Sequence, residues 1–249
     1  MSYQSEVLAD NPVGYWRFEE TSGSVVADEI DDNDGTVFGA DLDVATGEAA
    51  LGSAVEFDGV DDRIIVDNDA AHSGWSDFTI EFWIISTENR DNNYLVSVWQ
   101  ISGNERAWRI FPNGANILLG LSNTGGGSDS YTVMSRSAVY DGQLHHVVVN
   151  RSGTAVRGWI DGIEQASASH SGTVHSSLGV MGIGARGDNS NHHSGILDEL
   201  AVYNFALSEA RIQAHYDAAF ASEDPANLAA TVDGDTVSLS WDASPLVSA

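Results

Sequence analysis

"LHHVVVNRSGTAVRGWIDGIEQ", residues 144–165, reads as two strands joined by a turn at NRSG and a third strand after Asp161-Gly162. Asp-Gly takes the positive φ values that a two-residue hairpin requires, so the three strands are neighbours in an antiparallel meander. The same punctuation runs along the chain. Apolar alternation recurs in short runs separated by Asp, Asn, Gly and Ser, with 25 Gly and only 4 Pro, which is an all-β pattern. In FTIEFWI (78–84), Phe78, Ile80, Phe82 and Ile84 share one face while Thr79, Glu81 and Trp83 share the other, as the two-residue period of a strand demands. AVEFDGVDDRIIV (54–66) reads as strand, acidic turn, strand, and further strands are expected at 13–19, 94–101, 107–111, 116–121, 131–134 and 178–184.

One segment departs from this pattern. GILDELAVYNFALSEARIQAHY (195–216) opens as a strand and closes as a short helix. Strict alternation places Ile196, Asp198, Leu200 and Val202 on one face and Leu197, Glu199, Ala201 and Tyr203 on the other, so the adjacent acids are expected on opposite faces. Ser208 is the expected N-cap, Glu209 suits the positive helix end, and Leu207 can staple Ile212. After residue 222 the composition shifts, and 225–245 reads as two alternating strands around a turn, too short to be a domain alone. The expected organisation is one domain over 1–222 and a linker with the opening strands of another over 223–249.

Composition narrows the partners. The chain has 249 residues, 37 acidic and 10 basic side chains and a formal charge of -27. All ten basic residues are Arg; there is no Lys. Such a field repels nucleic acid. It is tolerable where dense counterions screen it within a few ångströms, which is read as adaptation to high salt. With no Cys, disulfides and thiolate chemistry are excluded. No stretch approaches the roughly 18 apolar residues of a membrane helix, and the opening residues lack the basic start and apolar run of a secretion signal.

Five segments, in this order, resemble the laminin G-like jelly-roll domains of the concanavalin A-like lectin and glucanase superfamily: GYWRFEETSGSVVADEIDDNDGTV (14–37), AVEFDGVDDRIIV, FTIEFWI, LHHVVVNRSGTAVRGWIDG and GILDELAVYNFALSEARI. The resemblance covers about residues 11–218. It departs at Leu144, where the family often has Trp before the paired His. It implies a two-sheet antiparallel jelly-roll sandwich with one short C-terminal helix. The opening looks like such domains in tail and fibre proteins of viruses that infect microbes, and the tail resembles the first strands of a fibronectin type III domain.

Acids clustered in 19–35 and 57–62 offer oxygen ligands on turns, which calcium accepts with flexible geometry. The resemblance implies a structural calcium at Glu19 or Glu20, Asp28, Asp58 and Asp198. Catalysis is not expected. Glucanases of the superfamily use two carboxylates on one strand, whereas in EIDDND (29–34) the residues sharing a face with Glu29 are Asp31 and Asn33, and the amide cannot act as acid. No Gly-x-Ser-x-Gly elbow precedes a helix. His192 and His193 read as a solvated loop, and His145 and His146 as one edge-bonded and one exposed ring. Arg186-Gly187-Asp188 is a tripeptide common by chance, and Asn150-Arg151-Ser152 is a glycosylation pattern in an expected turn.

Trp16, Trp83 and Trp159 lie within strands and read as core or sheet surface. Trp75, Trp99, Trp108 and Tyr131 lie near Gly-, Ser- and Asn-rich loops and are the expected ligand-binding aromatics. The chain is therefore expected to be a non-catalytic recognition or structural module at a virion surface, as tail, fibre or capsid component, of a virus of a halophilic microbe. Its expected partners are a host surface glycan or glycoprotein, other virion proteins, and itself as a homo-oligomer; membrane insertion is not expected. The alternative is a carbohydrate-binding domain of a secreted halophilic hydrolase or adhesin, with a glucanase third.

Overall fold

A computed structural model describes residues 2–67, 72–221, 229–233 and 236–240. In chain order the elements are α1 (Tyr3–Ala9), β1 (Gly14–Trp16), β2 (Val25–Val26), β3 (Gly35–Phe38), β4 (Asp41–Ala45), β5 (Ser53–Asp58), β6 (Arg63–Val66), β7 (Phe78–Ile85) and β8 (Val96–Gln100). They continue with β9 (Glu105–Asn113), β10 (Asn116–Leu121), β11 (Asp129–Ser135), β12 (His145–Ser152), β13 (Ala155–Ile160), β14 (Ile163–Ser169), β15 (Met181–Ile183), β16 (Ser194–Tyr203), α2 (Glu209–Ala219), β17 (Ala229–Asp233) and β18 (Thr236–Ser240).

Two eight-stranded antiparallel sheets result. The first runs β14-β13-β12-β7-β16-β5-β4, with β1 also paired to β16, and the second runs β11-β10-β9-β8-β15-β6-β3-β2. This is the expected two-sheet jelly-roll sandwich. Alternation explains its interior: Phe78, Ile80, Phe82 and Ile84 all enter one buried cluster with Trp108, Ile110, Leu119, Ile64 and Val66 of the second sheet. Between β5 and β6 the acidic turn carries the chain from the first sheet to the second, so AVEFDGVDDRIIV is a crossing between layers and not a hairpin. β17 and β18 pair with each other, the two strands expected in the tail.

The outer face of the first sheet is also covered. Tyr15, Trp83, Trp159, Ala201 and Tyr203 form a second buried cluster with Tyr3 and Val7 of α1 and Ile212 and Ala219 of α2. α2 begins as expected, with Ser208 accepting from Arg211 N at 3.3 Å and Leu207 buried beside Ile212. α1 is an addition to the single helix expected. Its seven residues are capped by Ser2, and a helix this short is held by its tertiary contacts rather than by its own propensity.

Two local readings are corrected. The first hairpin turn lies at Gly153-Thr154, two residues further than NRSG, because β12 continues to Ser152, which pairs with Ala155. Asn150 is thereby buried, its amide donating to Leu207 O, and is closed to glycosylation. The Asp161-Gly162 turn is as expected, with φ of 52° and 76°.

The second correction concerns Asp198 and Glu199. Asp198 pairs with Trp83 and Ala201 with Glu81, so three steps on β16 oppose two on β7. That extra residue is a β-bulge. Glu199 takes φ 51°, and alternation resumes out of phase. Leu197, Leu200 and Val202 consequently face the interior, and both acids lie on the outer side, where Asp198 pairs with Trp83 and Glu199 meets Tyr15.

Candidate functional site

Four loops converge at one end of the second sheet. Gly125, at φ 76°, lies so close to the loop before β9 that a Cβ there would meet Asn104 O at 1.9 Å; only glycine permits that approach. Arg106 donates to the Gly126 carbonyl, and His175 N donates to Ser122 O at 2.7 Å. Ser73 Oγ donates to Ser177 O at 3.1 Å, tying in the segment that carries Trp75. Within this cluster an open pocket of about 200 Å³ is lined by Leu121, Asn123, Thr124, Gly127, Ser128 and Asp129. Beside it, Tyr131 Oη and His170 Nδ1 are 2.8 Å apart. Burial, and then the charge of Asp129, raise the Tyr131 phenol above its usual pKa.

The four expected ligand aromatics divide. Trp75 and Tyr131 are half-buried at this end. Trp99 and Trp108 are 3% and 0% exposed, and this corrects their reading as ligand-contacting rings. β9 begins at Glu105, earlier than expected, so Trp108 sits inside it and donates from Nε1 to His72 O at 2.7 Å. Trp99 packs with Tyr94 and Phe111 on the sheet's outer side, under the Arg109 guanidinium at 4.4 Å. The pocket residues Asn123, Thr124, Ser128 and Asp129 belong to the loop whose composition marked it, although none was singled out individually.

The five expected calcium ligands occupy separate surroundings. Glu19 pairs with Arg17 at 2.7 Å and accepts from Ser53 N. Glu20 accepts from Ala27 N. Asp28 accepts from Tyr15 N, Ile30 N and the Asn33 amide. Asp58 converges instead with Asp61 and Asp62, within 4.8 Å, the one such group of three among the described residues. The five therefore do not form one coordination sphere. Asp198 is different: it is buried, Oδ1 accepts from Glu199 N, and Oδ2 has no partner among the described residues. Burial, then Glu199 and Glu19, raise its pKa well above the carboxylate range. A cation at that oxygen would take the place of the proton that burial otherwise holds there, with the charges of Glu199 and Glu19 acting in its favour.

The remaining chemistry lies under the helices. Glu81, fully buried, accepts from Tyr203 Oη and lies 3.1 Å from His146 Nε2 and 3.0 Å from His215 Nδ1. His215 Nε2 lies 3.0 Å from Asp10, and Arg211 clamps Glu6 and Asp10, both at 2.7 Å. An imidazole between two carboxylates donates from both nitrogens and so carries charge. Burial pulls the His215 pKa down, but Glu81 and Asp10 outweigh it and the net shift is upward. Burial also disfavours the Glu81 carboxylate, yet His215 and His146 hold it far below the usual range. His146 is thus a buried partner and not an exposed ring. In the sequence only Glu81 within an apolar strand and the His doublet hinted at this network.

Two other patterns are closed by their own contacts. Arg186 pairs with Asp188 at 2.6 Å within its turn. His193 is fully buried, which corrects the solvated-loop reading.

A family model described as the Concanavalin A-like lectin/glucanases superfamily matches residues 58–213. No curated protein matches the chain. Among solved structures, the binding domain of Paraclostridial Mosquitocidal Protein 1 is similar, with 20% identity and a TM-score of 0.67, covering 86% of this chain and 54% of that one. The botulinum neurotoxin serotype D ligand binding domain in complex with N-acetylneuraminic acid gives 14% and 0.64, covering 87% and 52%. The botulinum neurotoxin type G receptor binding domain gives 12% and 0.59, covering 83% and 51%. The chain thus spans about half the length of these solved chains, and at such identities the likeness is one of fold. All three are named as binding domains.

Proposed function

This chain belongs to the Concanavalin A-like lectin/glucanases superfamily, and we propose that it is a non-catalytic recognition module whose loop-end pocket binds a neutral terminal sugar of a surface glycan or glycoprotein. The observation that carries this reading is the pocket of Asn123, Thr124, Ser128 and Asp129 beside Tyr131. Amide, hydroxyl and carboxylate groups are the donors and acceptors that vicinal sugar hydroxyls require, and a tyrosine edge offers apolar contact. At about 200 Å³ the pocket is smaller than the roughly 300–1,000 Å³ of sites that engulf drug-sized ligands, so it suits one ring or branch tip. A net charge of -27 disfavours anionic sugars at ordinary salt.

The test is calorimetric titration of the full chain with neutral and sialylated oligosaccharides. Asp129→Ala and Asn123→Ala are each expected to weaken neutral-glycan binding about tenfold or more, the equivalent of one strong hydrogen bond. Binding that survives both unchanged would overturn the site.

For the setting, we propose a virion surface in a high-salt environment, with other virion proteins and further copies of this chain as partners. The Lys-free composition supports the salt. Neighbouring genes encoding tail or capsid proteins are the expected finding; a neighbouring hydrolase reading frame would favour the secreted alternative.

For calcium, the proposal narrows to Asp198. Millimolar calcium is expected to raise the melting temperature of the wild type by mass action. Asp198→Asn is expected to raise the calcium-free melting temperature and abolish the calcium response. A calcium shift of equal size in both proteins would exclude Asp198 as ligand.

A further inference from the structure

The Tyr3 ring is the centre of an arrangement that the loop-end site does not use. It inserts from α1 against the first sheet, edge-on to Trp83 at 5.9 Å, His146 at 6.2 Å and His215 at 6.4 Å. Glu81, Tyr15, Glu199 and Tyr203 are the groups whose charge bears on its phenol. An indole and two imidazoles therefore lie against the ring, with two acids and two further tyrosines within electrostatic reach of its phenol.

This is not how an apolar core is filled. Three polar atoms in the same layer, Tyr3 Oη, Trp83 Nε1 and His146 Nδ1, are buried without hydrogen-bond partners among the described residues, although Tyr3, Trp83 and His146 are each 0% exposed. Buried polar groups are normally paired, and each orphan weakens the arrangement that buries it. The Tyr3 ring thus fills the space by shape and leaves its hydrogen-bonding capacity unused.

We propose that Tyr3 is an internal stand-in occupying a ring-sized binding pocket on the outer face of the first sheet, and that this pocket takes a six-membered ring bearing donor hydroxyl groups when α1 lifts. The pocket walls supply ring surface from Trp83, His146 and His215 and two unpaired polar atoms, Trp83 Nε1 and His146 Nδ1. Trp83 Nε1 only donates, and with His146 Nε2 donating to Glu81 the neutral ring's Nδ1 accepts, so the incoming ring meets both with hydroxyl groups, which donate and accept, as those of phenols and sugars do. The cover is removable in principle. α1 is seven residues long, and its sequestering contacts are Tyr3 and Val7 in the buried cluster and Glu6 and Asp10 on Arg211 and His215. The wild-type affinity is the intrinsic affinity reduced by the fraction of molecules with α1 lifted.

The test uses the full chain in an Asn123→Ala, Asp129→Ala background, which separates this pocket from the loop-end site. Two probes represent the two sources of a hydroxylated ring: p-cresol and methyl glucoside. Tyr3→Ala is expected to bind at least one of them at least tenfold more tightly than the Tyr3 parent, by calorimetry. Asp10→Asn, which keeps Tyr3 and loosens the clamp, is expected to bind the same probe several-fold more tightly than the parent. The probe is also expected to speed amide exchange in residues 3–9 of that variant. A response to the glucoside alone assigns a sugar site, and a response to p-cresol alone a phenol site. A folded Tyr3→Ala that binds neither overturns the proposal. If Tyr3→Ala does not fold, an Asp10→Asn protein whose exchange in residues 3–9 ignores both probes overturns it equally.

Discussion

Glu81→Gln is expected to lower the melting temperature by roughly 6–20 °C. The reason is the position of Glu81 between Tyr203, His146 and His215 with no exposed surface. Removing one partner of a buried ion pair leaves the other charge uncompensated, typically at about 3–5 kcal/mol, and each kcal/mol moves the midpoint by about 2–4 °C at this size. His215 would then face an amide on one side and Asp10 on the other. Differential scanning calorimetry of the two proteins checks it, and a shift under about 2 °C would mean that the network contributes nothing net. The double variant Glu81→Gln, His215→Gln is expected to recover part of the loss, because the stranded charge is gone.

The second large effect is a dependence on pH. Burial, partly offset by Arg17 and Tyr15, raises Glu199 from 4.5 to about 8. The folded state therefore holds a proton that the unfolded chain has already released. The associated stability is fully present below the ordinary carboxylate range and is lost as pH rises through about 8. One such proton gives a slope of up to about 1.4 kcal/mol per pH unit. Glu199→Gln is expected to remove that slope, so that the variant overtakes the wild type above pH 7 and exceeds it by several degrees in melting temperature at pH 9. His215, also raised, loses its contribution in the same direction as its own proton leaves, but it is present in both proteins and cancels in the difference. Parallel stability curves for the two proteins from pH 5 to 9 would refute the assignment.

Much of the sandwich is legible in the chain because its inner faces obey a period of two. Phe78, Ile80, Phe82 and Ile84 point inward as alternation requires, and Ser208 caps α2 as its side chain requires. What resists reading is whatever depends on register between distant strands. The acids Glu19, Glu20, Asp28, Asp58 and Asp198 look like one set in sequence, yet Arg17 and backbone amides claim Glu19 and Asp28 locally. Trp99 and Trp108 look displayed because loop composition lies on both sides, whereas pairing extends β9 past the polar residues Glu105 and Arg106. α1 carries too few residues to show a helical stripe. The loop-end pocket is legible as a region, through its glycines and amides, but not as individual residues, since contacts between distant segments, such as Asn104 with Gly125 and His175 with Ser122, shape the loop that lines it.

The bulge at Glu199 gives the last third of β16 one residue to spare. Deleting that single residue would close the bulge with Asp198 still opposite Trp83 and Ala201 still opposite Glu81, so Val202 would keep facing the interior and Tyr203 the helices; removing a second residue would invert every following side chain. The extra residue is therefore not what keeps the two layers in phase; what it adds is a second carboxyl group on the outer side, held by Tyr15 and Arg17.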